Sequence, residues 1–224
     1  MNKDNERMNE IISTLTKRSE EDKLKYYQPY EFQKRFHLTS KDANQRLLMA
    51  ANRVGKSYVG AMEMAIHLTG RYPDWWEGRR FIEPIKAWVC GASNETTRDI
   101  CQKELFGQPD NPRDRGKGSI PKHLIGETTR KPGVPNAHSS VLVKHSSGGW
   151  SRVAFKAYEM GSEKFMGESM DLIWLDEEPP QDIYSQCITR TLDKEGQVYM
   201  TFTPESGMTE VVQNFTSDLK PSQA

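Results

Sequence analysis

The chain has 224 residues, with 31 basic and 31 acidic side chains, a formal net charge of zero and 35% apolar residues. That length admits one large α/β domain or one domain with an appendage, and no apolar run approaches the length of a membrane-spanning helix. A secretory leader is not expected, because Met1-Asn2-Lys3-Asp4-Asn5 is followed by no apolar stretch; a zero net charge gives no bulk sign of a nucleic-acid binder but leaves room for a local basic patch.

Residues 1–25 are charged and helix-friendly. Ile11, Ile12, Leu15 and Leu24 are their only aliphatics beyond Met8, which predicts a peripheral helical arm. An aromatic-rich stretch follows from Tyr26 to Phe36, then an apolar run, Leu47-Leu48-Met49-Ala50. Tyr58 to Leu68 reads as a helix with Tyr58, Met62 and Ile66 at spacing four, closed by Gly70 as its C-cap. Ala87-Trp88-Val89-Cys90-Gly91 reads as a buried strand, and Asn94 to Leu105 as a helix with Asn94 as candidate N-cap.

Composition then changes. Gly107 to Gly133 is rich in proline, glycine and charge and reads as a long irregular excursion. Val141-Leu142-Val143 and Val153-Ala154-Phe155 flank a His145–Gly149 turn as a hairpin, so residues 107–150 form an excursion plus hairpin within a domain spanning 26–213. Leu172-Ile173-Trp174-Leu175 is a fully apolar strand closed by acids, Gln181–Leu192 a helix, and Val198–Thr203 a strand stopped by Pro204. Buried strands alternating with helices point to an α/β fold with a mostly parallel sheet flanked by helices on both faces. Cys90, Cys101 and Cys187 are odd in number and lack metal-ligand spacing, which fits reduced thiols of a cytosolic protein.

The densest chemistry lies in Ala50-Ala51-Asn52-Arg53-Val54-Gly55-Lys56-Ser57. A phosphate-binding loop reads Gly, four residues, then Gly-Lys-Ser/Thr, between a strand and a helix. The flanks here fit, but Ala50 stands in the first glycine's place. Backbone N–H groups of such a loop and the helix N-terminus bind phosphate oxygens. Lys56 would reach the β- and γ-phosphates of ATP, and Ser57 would offer its hydroxyl to Mg²⁺. Ala50 can make the turn if its φ stays negative. Arg53, inside the loop, either stabilises charge at the γ-phosphate, or faces solvent or pairs with an acid.

Leu172-Ile173-Trp174-Leu175-Asp176-Glu177 supplies a second half. Two carboxylates then sit at the carboxyl edge of a parallel sheet, where ligands of open α/β sheets bind. Asp176 would hold Mg²⁺, and Glu177 would take a proton from the water attacking the γ-phosphate; Glu178 leaves that register open by one. A base aimed at water favours an ATPase over a kinase.

With these motifs in order, the chain resembles the ATPase domain of the large terminase subunit, the DNA-packaging motor of tailed bacteriophages. The resemblance covers most of Tyr27 to Gln213. It rests on the variant loop with a basic residue inside, on Gly70 to Phe81, on Tyr158 to Gly167 leading into Asp171–Glu178, and on Thr201-Phe202-Thr203-Pro204, which matches the family's coupling motif. It implies a P-loop NTPase of the ASCE type, ATP and Mg²⁺ as cofactors, and ATP hydrolysis that powers translocation of viral double-stranded DNA into a procapsid. It implies Gln33 as the adenine reader, with Gln28 a rival, and Thr201 and Thr203 in coupling. A glutamine amide suits adenine's N6/N7 edge. By the same resemblance the partners are the portal protein, the small terminase subunit and other copies in a ring, the isolated chain being mainly monomeric. The setting is the host bacterial cytoplasm, without membrane contact.

Terminase large subunits usually continue into a nuclease domain. Residues 214–224 therefore read as the start of a linker, and no nuclease activity is expected of this fragment. The rival readings are a helicase-like ATPase and a nucleotide-binding assembly module that does not hydrolyse. In Gly107–Gly133, three Arg and three Lys face two Asp and one Glu, either a solvated loop or a contact to DNA phosphates. Trp75 and Trp76 beside Arg79 and Arg80 either stack on bases or pack into the core.

Overall fold

A computed structural model describes residues 2–203 and 209–216 of the chain. The elements in order are α1 (Asn2–Glu21), α2 (Glu31–Leu38), β1 (Gln45–Met49), α3 (Lys56–Thr69), β2 (Lys86–Gly91), α4 (Asn94–Thr96), a π-helical turn (Thr97–Gln102), α5 (Lys103–Phe106), β3 (Ile125–Arg130), β4 (His138–Lys144), β5 (Trp150–Ala157), β6 (Leu172–Asp176), α6 (Gln181–Leu192), β7 (Gln197–Phe202) and α7 (Glu210–Thr216). One seven-stranded sheet runs β1-β7-β6-β2-β5-β4-β3. The first five strands of that order are parallel, and β4 and β3 are antiparallel additions.

Period-two alternation divides the core between the two faces. Val89, Leu172, Trp174 and Tyr199 belong to a cluster with Val59, Met62 and Ile66 of α3. Cys90, Ile173, Leu175, Val198 and Met200 belong to a second cluster with Ile183 and Cys187 of α6 and Val211 and Phe215 of α7. Burial on both faces explains why β6 and β7 read as unbroken apolar runs. Helix α3 lies against the sheet so closely that a Cβ on Gly60 would fall 2.5 Å from the Trp174 ring; only glycine fits there.

Several expectations need correction. The helix foreseen from Asn94 to Leu105 is broken by the π-turn, and its N-cap is Ser93, whose hydroxyl accepts from Thr96 N at 3.1 Å. The excursion from 107 to 133 is not wholly irregular, because β3 forms inside it and pairs with β4 beyond it. None of the β3 residues is buried, so β3 carries no apolar alternation to read. The aromatic stretch contains α2, which no apolar period announced. Trp76 packs into the core at 2% exposure, and Trp75 packs against that core, so Trp76 is a core residue and not a base-stacking one. The arm is helical, with Met8, Ile11, Ile12 and Leu15 exposed on it. Helix α7 crosses residue 213; Pro204 and the tail from 217 onward lie outside the described residues. Among the described residues no helix is long and apolar enough to cross a membrane.

Candidate active site

Strand β1 delivers the loop to the sheet edge, and Ala50 N still donates to Phe202 O at 3.4 Å. The loop then turns through left-handed backbone at Arg53 (φ 66°) and Gly55 (φ 84°), while Ala50 stays out of that region. The turn's strain falls on Arg53, so the missing first glycine costs nothing in φ. Gly55 caps α3 without a side-chain hydrogen bond, and Arg53 and Val54 are exposed. Lys56 is buried and donates its Nζ to Ala51 O at 2.8 Å across the loop. Thr203, just past β7, donates to Asn52 Oδ1 at 2.6 Å and ties the strand end to the loop.

Two strands away, β6 ends in Asp176. Its carboxylate is 2% exposed and gathers three donors: Thr201 Oγ1 at 2.7 Å, Ser57 Oγ at 3.0 Å and Cys101 Sγ at 3.7 Å. The Thr201 hydroxyl in turn accepts from Trp174 Nε1 at 2.7 Å, so its single proton is directed at Asp176. Burial pushes the Asp176 carboxyl up to about 6, against the hydroxyl and thiol hydrogen bonds; the charge of Glu177 adds to the rise. Burial likewise pushes the Cys101 thiol up, which keeps it a donor. Ser57 and Asp176 thus present adjacent hard oxygens at the sheet edge, a donor set that suits Mg²⁺ completed by phosphate and water oxygens. Among the described residues no cluster of three or more His, Cys, Asp or Glu stands ready to hold an ion.

Glu177 leaves the strand in left-handed backbone, φ 63°. Its N–H donates to Thr201 O at 3.0 Å, and the Tyr158 hydroxyl lies 3.0 Å from the carbonyl oxygens of both Asp176 and Glu177. Its side chain is exposed, whereas the carboxylate of half-buried Glu178 accepts from the Thr209 hydroxyl. Gln33 is buried beside the loop: a Cβ on Gly55 would meet its Nε2 at 3.8 Å, and its Oε1 accepts from Tyr30 N at 2.9 Å. Gln28 instead lines a cavity with Tyr26, Arg71 and Trp75, on which no loop residue borders.

Sequence reading missed the neighbours that orient these groups: Cys101, Trp174 and Tyr158. It also missed a charged cluster under α3. Glu63 accepts from Arg46 Nη2 at 2.7 Å, from His67 Nε2 at 3.1 Å and from His37 Nδ1, all fully buried. Arg46 reaches Phe36 O and Gln197 Oε1, and Tyr27 Oη meets His37 Nε2 at 2.9 Å. Burial alone would raise the Glu63 carboxyl; Arg46 and the imidazole hydrogen bonds outweigh it and hold it well below the usual range. The cluster joins β1 to α3, the two elements between which the loop is strung. Glu63 and His67, four apart in an otherwise apolar helix, were the available signal.

A strand–loop–helix cradle, an acid-tipped strand and one strand (β7) inserted between them define a P-loop NTPase of the ASCE type. The family model described as "Terminase large subunit, T4likevirus-type, N-terminal" matches residues 47–224. The chain belongs to the terminase large subunit family. It is 39% identical over 215 residues to the terminase large subunit of Salmonella phage P22, an alignment covering 88% of this chain and 43% of that protein. The large terminase of bacteriophage HK97 shares the fold, with a TM-score of 0.57 at 16% identity over 88% of this chain and 39% of that one. The chain therefore spans less than half the length of these relatives.

Proposed function

We propose that this chain is the ATP-hydrolysing motor part of a terminase large subunit, driving double-stranded DNA into a viral procapsid. The observation that carries the reading is the contact of Ser57, from the loop helix, with Asp176, from the acid strand, at 3.0 Å. The two motifs share one locus, as Mg²⁺–ATP chemistry requires. In this reading Lys56 leaves Ala51 O for β- and γ-phosphate oxygens, and the first N–H groups of α3 take the rest of the phosphate charge. Gln33 reads adenine. Ser57 and Asp176 would hold Mg²⁺, which would supply charge neutralisation to the nucleotide's phosphates. Glu177 accepts a proton from water as the water oxygen bonds to the γ-phosphorus and the bridging oxygen departs with ADP. Arg53 stabilises charge on the transferring group. Thr201 and Thr203 report its loss, one through Asp176 and the other through Asn52. The partners proposed are DNA, the portal protein, the small terminase subunit and further copies in a ring, within the host cytoplasm.

Phosphate release measured on the protein and on Glu177→Ala tests the chemistry: turnover should fall about 10²–10⁴-fold in the variant. Equal turnover would remove Glu177 as the base, and a Lys56→Ala protein that binds ATP normally would end the phosphate-loop reading.

A further inference from the structure

A cavity of about 220 Å³ opens where the excursion after α5 meets the β3–β4 ribbon, lined among others by Gln102, Phe106, Arg115, Arg130, Asn136 and His138. No acidic residue lines it. The Arg115 guanidinium makes one hydrogen bond, to Gly126 O at 3.3 Å, and that of Arg130 makes none among the described residues. Two cations thus border a concave space without a counter-ion. The third feature is His138. Its ring stands edge-on to Phe106 with centroids 6.1 Å apart, and its Nδ1 is buried without a hydrogen-bond partner among the described residues. An orphaned buried ring nitrogen costs free energy unless something pairs with it. Burial first, then the charges of Arg115 and Arg130, push the His138 imidazole below its ordinary value. Both guanidinium charges are therefore felt at that ring, and the ring stays neutral, with one N–H to donate.

One wall of the cavity is fixed by hydrogen bonds. Gln102 grips the β4 backbone in both directions, donating to His138 O and accepting from His138 N, each at 2.9 Å. Gln102 closes the π-turn and follows Cys101, the residue that touches Asp176.

We propose that this cavity holds a phosphate group of a DNA backbone, with Arg115 and Arg130 neutralising it beside the His138 ring. The source of the phosphate rests on the DNA-translocation reading above; the anion site itself rests on the cavity alone. Two planar guanidinium forks match a phosphodiester's paired oxygens, and such contacts position a duplex without reading its sequence.

The test is fluorescence anisotropy of a labelled short DNA duplex across a salt series. The variants are Arg130→Gln and the double Arg115→Gln/Arg130→Gln, alongside titration of inorganic phosphate followed at the arginine Nε–H signals. Loss of both contacts to that one phosphate should weaken binding at least about tenfold and lower the log–log salt slope by about one. Arg130→Gln alone should lower it by a fraction of that; because its guanidinium holds nothing else, it guards against a folding defect at Arg115. Basal ATPase activity should be unchanged in both. Millimolar phosphate should shift both arginine signals. Unchanged affinity and slope in the double variant would overturn the DNA assignment, even if free phosphate still shifts the arginines. If the unmodified protein binds no duplex, the translocation reading has failed instead, and the phosphate titration alone decides: no shift at either arginine would overturn the site.

Discussion

Asp176 and Glu63 are both carboxylates removed from water, at 2% and 0% exposure, and both contact elements that bracket the phosphate loop. Their surroundings differ in kind. Glu63 is met by a guanidinium and two imidazoles; Asp176 is met by two hydroxyls and a thiol, with no cation. One carboxyl is therefore held well below the usual range and the other is pushed up to about 6. A buried acid with its cation built in is a structural rivet. A buried acid with neutral donors only is an incomplete ion pair, and its charge is balanced when a cation arrives.

The largest test of this contrast is Arg46→Met. It leaves Glu63 in the interior with only the His37 and His67 imidazoles and no guanidinium, and should lower unfolding free energy by about 3–5 kcal/mol in denaturant melts. A loss under about 1 kcal/mol would mean the imidazoles suffice. Asp176→Asn should do the reverse in absence of Mg²⁺: melting temperature stays level or rises, while phosphate release is lost. Its advantage should shrink with acid. The folded carboxyl titrates near 6 and the unfolded one near 3.8, so the folded state binds the proton more tightly between those values. Stability is therefore lost as pH rises through that window, and the unmodified protein recovers it on acidification. The gap between melts of the two proteins should narrow by about half from pH 8 to pH 5; a constant gap would refute the raised carboxyl.

Glu63 and His67 carry the opposite sign. Both are depressed, so their stabilisation is present above the unfolded values and disappears as pH falls, His67 from about 6.5 downward and Glu63 below about 4.5. Glu63→Gln should flatten the acid limb of a stability–pH curve; an unchanged limb would place acid sensitivity elsewhere. The smallest effect is expected at the loop. Thr203→Val removes the hydroxyl on Asn52, and should cost about 1 kcal/mol or less in stability while lowering kcat more than KM. A change confined to KM would make the contact one of ground-state binding.

Much of the sheet was legible because its strands are buried on both faces and its helices are amphipathic or uniformly apolar. The β6 and β7 runs, α6 and the Gly70 cap of α3 came out nearly residue for residue. Strand β3 did not: Glu127, Thr128 and Thr129 face mostly solvent, and their pairing is set by β4 rather than by any pattern of their own. The π-turn was illegible for a related reason. One widened turn leaves the apolar spacing of the Asn94–Leu105 segment nearly intact, yet it swings Cys101 toward Asp176 and Gln102 toward His138.

Local stretches of the chain settle which residue types carry the chemistry and the backbone that presents them. Glycine, lysine and serine at a helix start, and acids closing an apolar strand, act over four residues or fewer. Which groups meet was decided only by tertiary structure. Ser57 finds Asp176 across 119 residues, and Thr203 finds Asn52 across 151. The register of β7 between β1 and β6 sets both distances, and it places Thr201 beside Asp176. The same packing turned Arg46, His37, Glu63 and His67 into one buried cluster. Such pairings arise from strand order and the exclusion of water, and neither leaves a periodic trace in the chain.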